Sequence, residues 1–330
     1  MKISEMGEFK LIESLSKLVG KPRDDAVIMG IGDDAACWRT EDGMLLATTD
    51  SLVEGVHFTL KVTTWRELGW KALAVNLSDI AAMGGIPKYA MISLGVPRDT
   101  DAENISRLYQ GILELAQAFD VDIIGGDTVA SPVMMINITL IGVVPGGQDI
   151  LTRKAAVPGD QVAVTGHLGA SSAGLAMLNR EIEFNYHIAK ALREAHLKPS
   201  PRVAEGQALA RCGVKACIDL SDGLMGDLEK LCKSSGVGAR VFIDHIPCHP
   251  ATVESFEDAA VTFALTGGED YELLFTAKAS VIEGVREAVS CPVTVIGEVV
   301  KGRGIRALDE AGIEVHVGDR GWDHFGRRGR

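Results

Sequence analysis

The chain has 330 residues, of which 46% are hydrophobic and 24% are charged. This length suits two domains of ordinary size, and the apolar content is enough to give each a buried core. Acidic residues outnumber basic ones, 45 to 33, so the net charge is -12 with histidine neutral. A nucleic-acid-binding protein needs a basic face, so we expect no nucleic-acid partner. An acidic protein can bind a polyphosphate only if cations lie between its carboxylates and the phosphates.

The sequence contains no apolar run long enough to span a membrane, and its first residues lack the apolar segment of a signal peptide. We therefore expect a cytoplasmic protein with no membrane partner. The six cysteines form no C-x-x-C pair, which is typical of reduced packing residues. The segment from Asp244 to Pro250 contains residue types that bind zinc, but its two prolines and the lack of a second ligand pair argue against a zinc site.

The chain begins with a predicted helix, followed by strands that carry acids. The spacing of apolar residues predicts a helix over 8–19, and a buried strand over 26–31 leads into Gly30-Ile31-Gly32-Asp33-Asp34. Gly30 and Gly32 resemble half of a dinucleotide-binding fingerprint. No helix is predicted after them, so that interpretation fails. Two further strands are predicted over 36–39 and 44–49.

The turn between these two strands predicts where two acids meet. Asp42-Gly43 suits a two-residue hairpin loop, which places Glu41 opposite Met44. That register brings Asp34 and Asp50 to the same end of the hairpin. Like charges so placed destabilise a sheet, and a bound cation would reverse the sign of that cost.

The stretch from Thr48 to Phe58 combines hydroxyl groups, a carboxylate and a histidine. It leaves an apolar strand, supplies two hydroxyls and the carboxylate of Asp50, and ends beside His57. Hard oxygen ligands at the end of a strand suit a hard cation such as magnesium. The alternative is a strand with a polar end and a histidine that packs in the core.

Two further elements are predicted to end in an acid. A helix over 63–83 places Asp79 near its C-terminus, where a carboxylate opposes the helix dipole. Asp79 is therefore either simply exposed or held by something positive. A strand over 121–124 is predicted to end at Gly125-Gly126-Asp127-Thr128, where the glycines permit close backbone approach to a ligand.

The second half of the chain continues the pattern after a linker-like segment at 145–148. Leu151-Thr152-Arg153-Lys154 is a basic cluster beside the acidic ends. A strand ends in Asp219, and Ser221 or Asp222 could cap the following helix, which leaves Asp219 unexplained. Trp322, near the end of the chain, could stack on a flat ligand or pack on the core.

Acids thus stand at the ends of several separate elements. If these carboxylates converge, they require several divalent cations, and several cations imply a polyphosphate ligand. The sequence contains neither a P-loop, G-x-x-x-x-G-K-[ST], nor the catalytic motifs of a protein kinase.

A series of motifs, in chain order, resembles the thiamine-monophosphate kinase family of the aminoimidazole-ribonucleotide-synthetase-like superfamily. These motifs are Gly30-Ile31-Gly32-Asp33-Asp34, Thr48-Thr49-Asp50, Ala74-Val75-Asn76-Leu77-Ser78-Asp79, Gly125-Gly126-Asp127-Thr128, Leu151-Thr152-Arg153, Ile218-Asp219-Leu220-Ser221-Asp222-Gly223 and Gly267-Gly268-Glu269-Asp270-Tyr271-Glu272. The resemblance extends from Gly7 to Phe325, and no motif is missing.

The resemblance implies an α/β fold with α+β character and two domains. The first domain, residues 1–148, is expected to be a mixed sheet with helices that forms a barrel across a homodimer. The second, residues 149–330, is expected to be an α/β sandwich that completes the ATP and substrate site. The implied reaction converts ATP and thiamine monophosphate to ADP and thiamine diphosphate, with ATP as co-substrate and several magnesium ions as cofactors.

The resemblance also implies roles for individual residues. Magnesium is expected to be held by Asp34, Thr48, Thr49, Asp50, Asp79, Asp127, Asp219 and Asp222. ATP is expected to contact Gly126, Asp127, Arg153 and Ser221, and thiamine monophosphate is expected to contact His57, Glu269 and Trp322. Arg153 and Asp222 are expected to act electrostatically, and Glu269 can offset the positive charge of the thiazolium ring.

The acceptor determines the expected mechanism. A phosphate oxygen is already anionic at neutral pH, so no general base is needed, and we expect direct in-line transfer by positioning and electrostatics without a phospho-enzyme.

A selenophosphate synthetase would carry a reactive cysteine or selenocysteine in an N-terminal glycine-rich loop, whereas Cys37 lies in a predicted strand. A hydrogenase-maturation protein would end in cysteine, and this chain ends in Arg330. A non-catalytic nucleotide-binding module would lack metal ligands.

Overall fold

The computed structural model describes residues 7–20, 22–318 and 321, and two β-sheets organise them. The strands are β1 (Val27–Met29), β2 (Ala36–Thr40), β3 (Gly43–Val53), β4 (Ile86–Val96), β5 (Asp122–Ala130), β6 (Met135–Pro145), β7 (Gln161–Thr165), β8 (Ala216–Asp219), β9 (Gly238–Phe242), β10 (Leu273–Ala277), β11 (Val293–Val300), β12 (Gly304–Leu308) and β13 (Glu314–Val315). The helices are α1 (Glu8–Val19), α2 (Trp65–Ala82), α3 (Ala102–Ala118), α4 (Ala170–Arg180), α5 (Tyr186–Leu197), α6 (Val203–Arg211), α7 (Leu224–Ser235), α8 (Pro250–Phe256), α9 (Ala260–Thr266) and α10 (Ala279–Ala288).

The first sheet has the strand order β1-β2-β3-β6-β4-β5. Its pairs are antiparallel except for β4 and β5, which are parallel. Residues of β6 alternate between buried and partly exposed, as expected for a strand with one face on the core. The buried face packs against α2, and α3 packs behind that helix.

The second sheet has the order β13-β12-β9-β11-β7-β10-β8. It is antiparallel except for the pair of β9 and β12. Its strand β10 is buried along its whole length, because β10 lies between β7 and β8 and is covered on both faces. One apolar cluster fills the space beside α7, and a smaller one lies under α4, α5 and α8.

Helix α2 lies between the two sheets. It begins with a capping box, in which Thr64 accepts a hydrogen bond from the Glu67 amide at 3.3 Å and the Glu67 carboxylate accepts one from the Thr64 amide at 2.9 Å. Most of its residues are buried, because β3 and β6 contact it on one side while β8 and α6 contact it on the other. One large apolar core therefore contains residues from both sheets.

Glycines allow the neighbours of α2 to approach its backbone closely. A Cβ on Gly69 would lie 1.9 Å from the Leu108 carbonyl oxygen of α3, and a Cβ on Gly111 would lie 1.9 Å from that of Arg66. On the other side, a Cβ on Gly206 would lie 2.0 Å from the Ala81 carbonyl oxygen. These contacts fix the position of α2 relative to both halves of the chain.

The predicted register of the β2–β3 hairpin is wrong by two residues, because the two-residue loop lies one position earlier than predicted. The structure pairs Thr40 with Gly43 and Arg39 with Met44, so that Glu41 is not opposite Met44. Gly43 is the first residue of β3 rather than part of the loop. A Cβ there would lie 2.4 Å from the Val144 carbonyl oxygen, so this glycine serves the close approach of β6.

The prediction that a strand ends at Ile124, before the acid Asp127, is also wrong. Strand β5 continues through both glycines to Ala130. Ala90 and Met91 of β4 pair with Ile123 and Gly125, so Ile124 is the extra residue of a bulge in β5, and glycines in a strand are typical of such a bulge. Asp127 therefore lies within an edge strand.

The two-domain α/β fold with mixed sheets is confirmed, and α1 has the predicted bounds. The domain boundary at 148/149 and the barrel across a homodimer stay predictions. Among the described residues, no helix has both the length and the apolar character needed to cross a membrane.

Candidate functional site

Three carboxylates converge where the two halves of the chain meet. Asp34 precedes β2, Asp79 lies in the last turn of α2, and Asp219 ends β8. Each offers one oxygen atom, and these atoms all lie within 4.8 Å of one another. This is the one group of potential metal ligands found within residues 7–20, 22–318 and 321, so the segment around Cys248 forms no such group there.

Two hydroxyl groups hold this carboxylate cluster in place. The Thr48 hydroxyl donates to Asp79 at 2.5 Å, and the Ser78 hydroxyl donates to Asp219 at 2.6 Å. Ser78 and Asp79 are adjacent on α2. Through them the helix is hydrogen-bonded to Thr48 of the first half and to Asp219 of the second half. Ser78 was missed as a site residue, although it stands inside the motif that contains Asp79.

The electrostatics of the carboxylate cluster favour a cation. Burial raises the pKa of Asp79 well above its usual value, and the charges of Asp50, Asp219 and Asp34 raise it further. Burial and then the charge of Asp34 likewise raise the pKa of Asp219. One oxygen of Asp34, Oδ2, is buried without a hydrogen-bond partner. Such an acceptor is costly to bury unless a ligand satisfies it.

Arg153 lies beside this cluster on the side of the second half. Its guanidinium donates to Asp34, and its backbone N–H donates to the Asp33 carboxylate at 3.2 Å. Burial and then the charge of Asp34 raise the pKa of Asp33 to about 6. Burial lowers the pKa of Arg153, but these carboxylates raise it overall, so Arg153 stays charged. Asp33 was not predicted as a site residue; its signal was the Asp-Asp doublet.

Strand alternation separates Asp50 from Thr49. The Asp50 amide donates to the Asn76 side chain of α2 at 3.1 Å, and its charge acts on Asp79. The Thr49 hydroxyl lies on the opposite face, where it donates to the Ile138 carbonyl oxygen at 3.2 Å. The structure thus brings Thr48 and Asp50 toward the carboxylate cluster and turns the Thr49 side chain away from it.

Gly126 and Asp127 lie on the exposed edge strand β5. The Asp127 carboxylate accepts a hydrogen bond from the amide of Thr128 at 2.8 Å. Gly126 has a φ of 154°, and a Cβ there would lie 1.8 Å from the Ile92 carbonyl oxygen. Asp127 is not one of the three converging acids, and its assignment to magnesium and ATP stays a prediction.

Asp222 and Ser221 belong to the loop that follows Asp219. Asp222 accepts a hydrogen bond from the ammonium of Lys230 at 2.6 Å. Neither Ser221 nor Asp222 caps α7, contrary to that possibility: the N-cap is Gly223, and the Asp227 carboxylate accepts the amides of Asp222 and Gly223 at 3.0 and 3.1 Å. Lys230 and Asp227 follow the loop on α7 and were not predicted.

The predicted substrate residues lie at the other side of this loop. The Glu269 amide donates to the Ser221 carbonyl oxygen at 2.8 Å, and the imidazole of His57 lies near enough to Glu269 to affect its pKa. Nδ1 of His57 accepts a hydrogen bond from the Val53 amide at 3.1 Å, which leaves Nε2 as the protonated nitrogen. Trp322 lies outside the described residues.

Tyr271 connects the two parts of the site. It is buried, with a left-handed φ of 51°. Burial raises the pKa of its phenol well above the usual value, and the charges of Glu269, Asp50, Asp219 and Asp222 raise it further. The charges of acids predicted to bind metal and of the acid predicted to bind substrate therefore act on one side chain.

Comparison with known proteins identifies the class to which this fold and site belong. Residues 32–144 match the model of the AIR synthase related protein, N-terminal domain, and residues 157–310 match that of its C-terminal domain. Among proteins of known name, thiamine-monophosphate kinase of Bacillus subtilis is 36% identical over 97% of this chain and 100% of that protein. That of Salmonella typhimurium is 39% identical over 97% of this chain and 98% of that protein.

Solved structures of related proteins also resemble this chain. A structure described as AaThiL complexed with AMPPCP and TMP has a TM-score of 0.85 and 33% identity, over 98% of this chain and 99% of that one. A hydrogenase maturation protein, HypE of E. coli, shares the fold at 20% identity and a TM-score of 0.68, over 94% of this chain and 98% of that one. The chain belongs to the thiamine-monophosphate kinase family.

Proposed function

We propose that this protein transfers the γ-phosphoryl group of ATP to the phosphate of thiamine monophosphate, which yields ADP and thiamine diphosphate. The observation that carries the proposal is the convergence of Asp34, Asp79 and Asp219 at the junction of the two halves. Such a cluster suits the polyphosphate of ATP only through bound cations. The related structure that contains both an ATP analogue and TMP supports the same two substrates here.

Magnesium fits the chemistry of these donors. The ligand atoms are hard oxygens, the pKa values of Asp79 and Asp219 are raised by burial and mutual repulsion, and the buried Asp34 Oδ2 has no hydrogen-bond partner. We propose that these three acids hold magnesium together with Thr48, Asp50, Asp127 and Asp222. The side chain of Thr49 is turned away from the carboxylate cluster, so we propose that Thr49 takes part through its backbone. When bound, the ions would neutralise charge on the transferred phosphoryl group.

Arg153 supplies the positive charge of the protein itself. Its backbone and guanidinium are fixed by Asp33 and Asp34, so the side chain is already ordered next to the carboxylate cluster. We propose that Arg153, together with Ser221, Gly126 and Asp127, contacts ATP. A preorganised cation costs little further ordering when the anion arrives, which is the main source of electrostatic catalysis.

The acceptor needs no activation by a base. The phosphate of thiamine monophosphate is anionic at neutral pH, so the task of the protein is to hold two anions in line and in contact. We propose that Glu269, His57 and Trp322 bind the thiamine part of the acceptor. The mechanism predicts no covalent phospho-enzyme, and a phosphorylated protein trapped after incubation with ATP alone would refute it.

We also propose a homodimer that works in the cytoplasm. Strand β5 has exposed residues along nearly its whole length, including the apolar side chains of Ile124 (55% exposed) and Val129 (51% exposed). An apolar edge strand normally has a partner, so a second copy on this edge is consistent with the predicted barrel. Light scattering of wild type and Ile124→Lys tests it: a dimer that becomes a monomer is expected.

The division into residues 1–148 and 149–330 is part of the same proposal. The last strand of the first sheet ends at Pro145, and the first strand of the second begins at Gln161, which supports a boundary between them. Consumption of ATP, which cells make in the cytoplasm, supports the proposed location.

The experiment that tests the function follows thiamine diphosphate by chromatography. The purified protein is incubated with magnesium, ATP and thiamine monophosphate, and free thiamine replaces the monophosphate in a parallel reaction. We expect product from the monophosphate alone. Asp34→Asn should lose it, whereas Asp244→Asn, an exposed acid of the second half, should keep it. Binding of ATP without turnover would instead indicate a nucleotide-binding module.

A further inference from the structure

A lysine is buried in the middle of α2. Lys71 is 1% exposed, and its Nζ lies 2.8 Å from Oε1 of Glu269. An unpaired ammonium in such a place would cost several kcal/mol, so the position of this carboxylate determines whether the lysine is tolerated. The pair joins a helix of the first half to a loop of the second.

Glu269 is held from its buried side by two groups. Lys71 contacts Oε1, and Nδ1 of His196 lies 3.5 Å from Oε2. Burial, together with the charge of Lys71, lowers the pKa of His196 to about 3. This histidine is therefore neutral. Burial raises the pKa of Glu269, but the charge of Lys71 outweighs that effect and lowers the pKa overall. The carboxylate is therefore ionised.

The same carboxylate also reaches open space. The Glu269 side chain is 26% exposed, in contrast to 2% for Lys71 and 6% for His196. Its backbone has a left-handed φ of 68°, which is uncommon for a residue other than glycine. Its charge raises the pKa of the Tyr271 phenol, and His57 lies near enough to lower the pKa of Glu269.

We infer that Lys71 is a positioning residue for the acceptor: it holds the Glu269 carboxylate in the orientation that receives the cationic part of thiamine monophosphate. This inference rests on the proposed function, in which Glu269 contacts the acceptor. The thiazolium cation would lie closer to the Glu269 carboxylate than to the Lys71 ammonium behind it. The carboxylate therefore still attracts the thiazolium although it is paired with Lys71. Without Lys71, the carboxylate is free to turn away from that orientation.

Kinetics of Lys71→Met test the role. The variant removes the charge but keeps an unbranched side chain of similar length. We expect KM for thiamine monophosphate to rise about tenfold or more, since a misplaced contact of this kind weakens substrate positioning. KM for ATP should stay within about twofold, because the carboxylate cluster and Arg153 are not contacted by Lys71. Glu269→Gln should show the same selective rise, and the double variant should be no worse than either single variant.

A matched control separates positioning from general stability. Arg202 forms a partly buried ion pair with Glu272, and Arg202→Met should lower Tm without a selective rise in KM for thiamine monophosphate. If Lys71→Met does not fold, Lys71→Gln, which keeps a hydrogen-bond donor, is measured instead with the same expected result.

Three outcomes would overturn the inference: an unchanged KM for thiamine monophosphate in a folded variant, equal rises of KM for both substrates, or the same selectivity in the Arg202 control. Failure of the proposed function is distinct from these, because the wild-type protein would then make no thiamine diphosphate.

Discussion

Replacing Asp219 with asparagine should stabilise the metal-free protein and abolish its stabilisation by magnesium. Asp219 shares the carboxylate cluster with Asp34 and Asp79, whose oxygens lie within 4.8 Å of one another. At that separation and an effective dielectric constant of about 20, two unit charges repel by roughly 3.5 kcal/mol. The substitution removes two of the three pairs, while the amide oxygen can still accept the hydrogen bond from Ser78.

Protonation of the acids relieves part of this repulsion, so the net gain is smaller than the Coulomb energy. We expect the metal-free Asp219→Asn variant to be more stable than wild type by about 1–3 kcal/mol at pH 8. Magnesium at a hundred times its Kd should stabilise wild type by about 2.7 kcal/mol and the variant by much less. Magnesium should therefore shift the difference between the two stabilities toward wild type by most of about 2.7 kcal/mol.

The assay is thermal unfolding of both proteins in EDTA and in magnesium. Asp244→Asn is the control, because it makes the same acid-to-amide change at an exposed position and should respond like wild type. A wild-type Tm that is the same in EDTA and magnesium would refute the cation site. An equal magnesium response in the Asp219 variant would refute the place of Asp219 in it.

Three further predictions concern the same region and its supports. Asp50→Asn should lose about 10²-fold in turnover while its circular dichroism stays unchanged, and near-normal turnover at ordinary magnesium would contradict its role. Burial raises the pKa of Asp270 to about 7, so its contribution to stability is complete below pH 4 and is lost as pH rises through 7. Asp270→Asn should flatten that part of the urea-unfolding profile between pH 5 and 8; identical profiles would argue against the shift. Gly206→Ala places a Cβ 2.0 Å from the Ala81 carbonyl oxygen and should destabilise by about 1–3 kcal/mol in urea, whereas Gly284→Ala, with nothing within 4 Å, should stabilise slightly. A neutral Gly206→Ala would mean that α6 can shift away from α2.

Local periodicity was enough to predict most elements. Helix α1 has the predicted bounds, because the apolar spacing of this segment reflects its own packing face. The two errors both involve glycine. Gly43 and Gly126 look like turn residues in the sequence, yet each lies in a strand, where the lack of a side chain permits a neighbouring strand to approach. Local sequence does not distinguish these two uses of glycine.

The sequence predicted the site residues that are acids at the ends of strands and helices. It did not predict the ion pairs that form between segments distant in the sequence. The convergence of Asp34, Asp79 and Asp219 agrees with the expectation that acids at element ends gather in one place. The pair of Lys71 and Glu269 and the pair of Arg153 and Asp34 depend on how the two halves pack. Periodicity carries no information about such pairings. A lysine within the apolar run of α2 was the one available sign.

The position of α2 between the sheets affects how the chain can be divided. A fragment that ends near residue 148 would keep α2 but lose α6 and β8, which cover one side of it. That fragment would expose apolar surface together with the uncompensated charge of Lys71, and it should aggregate or stay partly unfolded. Although two family models divide the sequence, we expect the two halves to require co-expression, with neither autonomous as a folding unit.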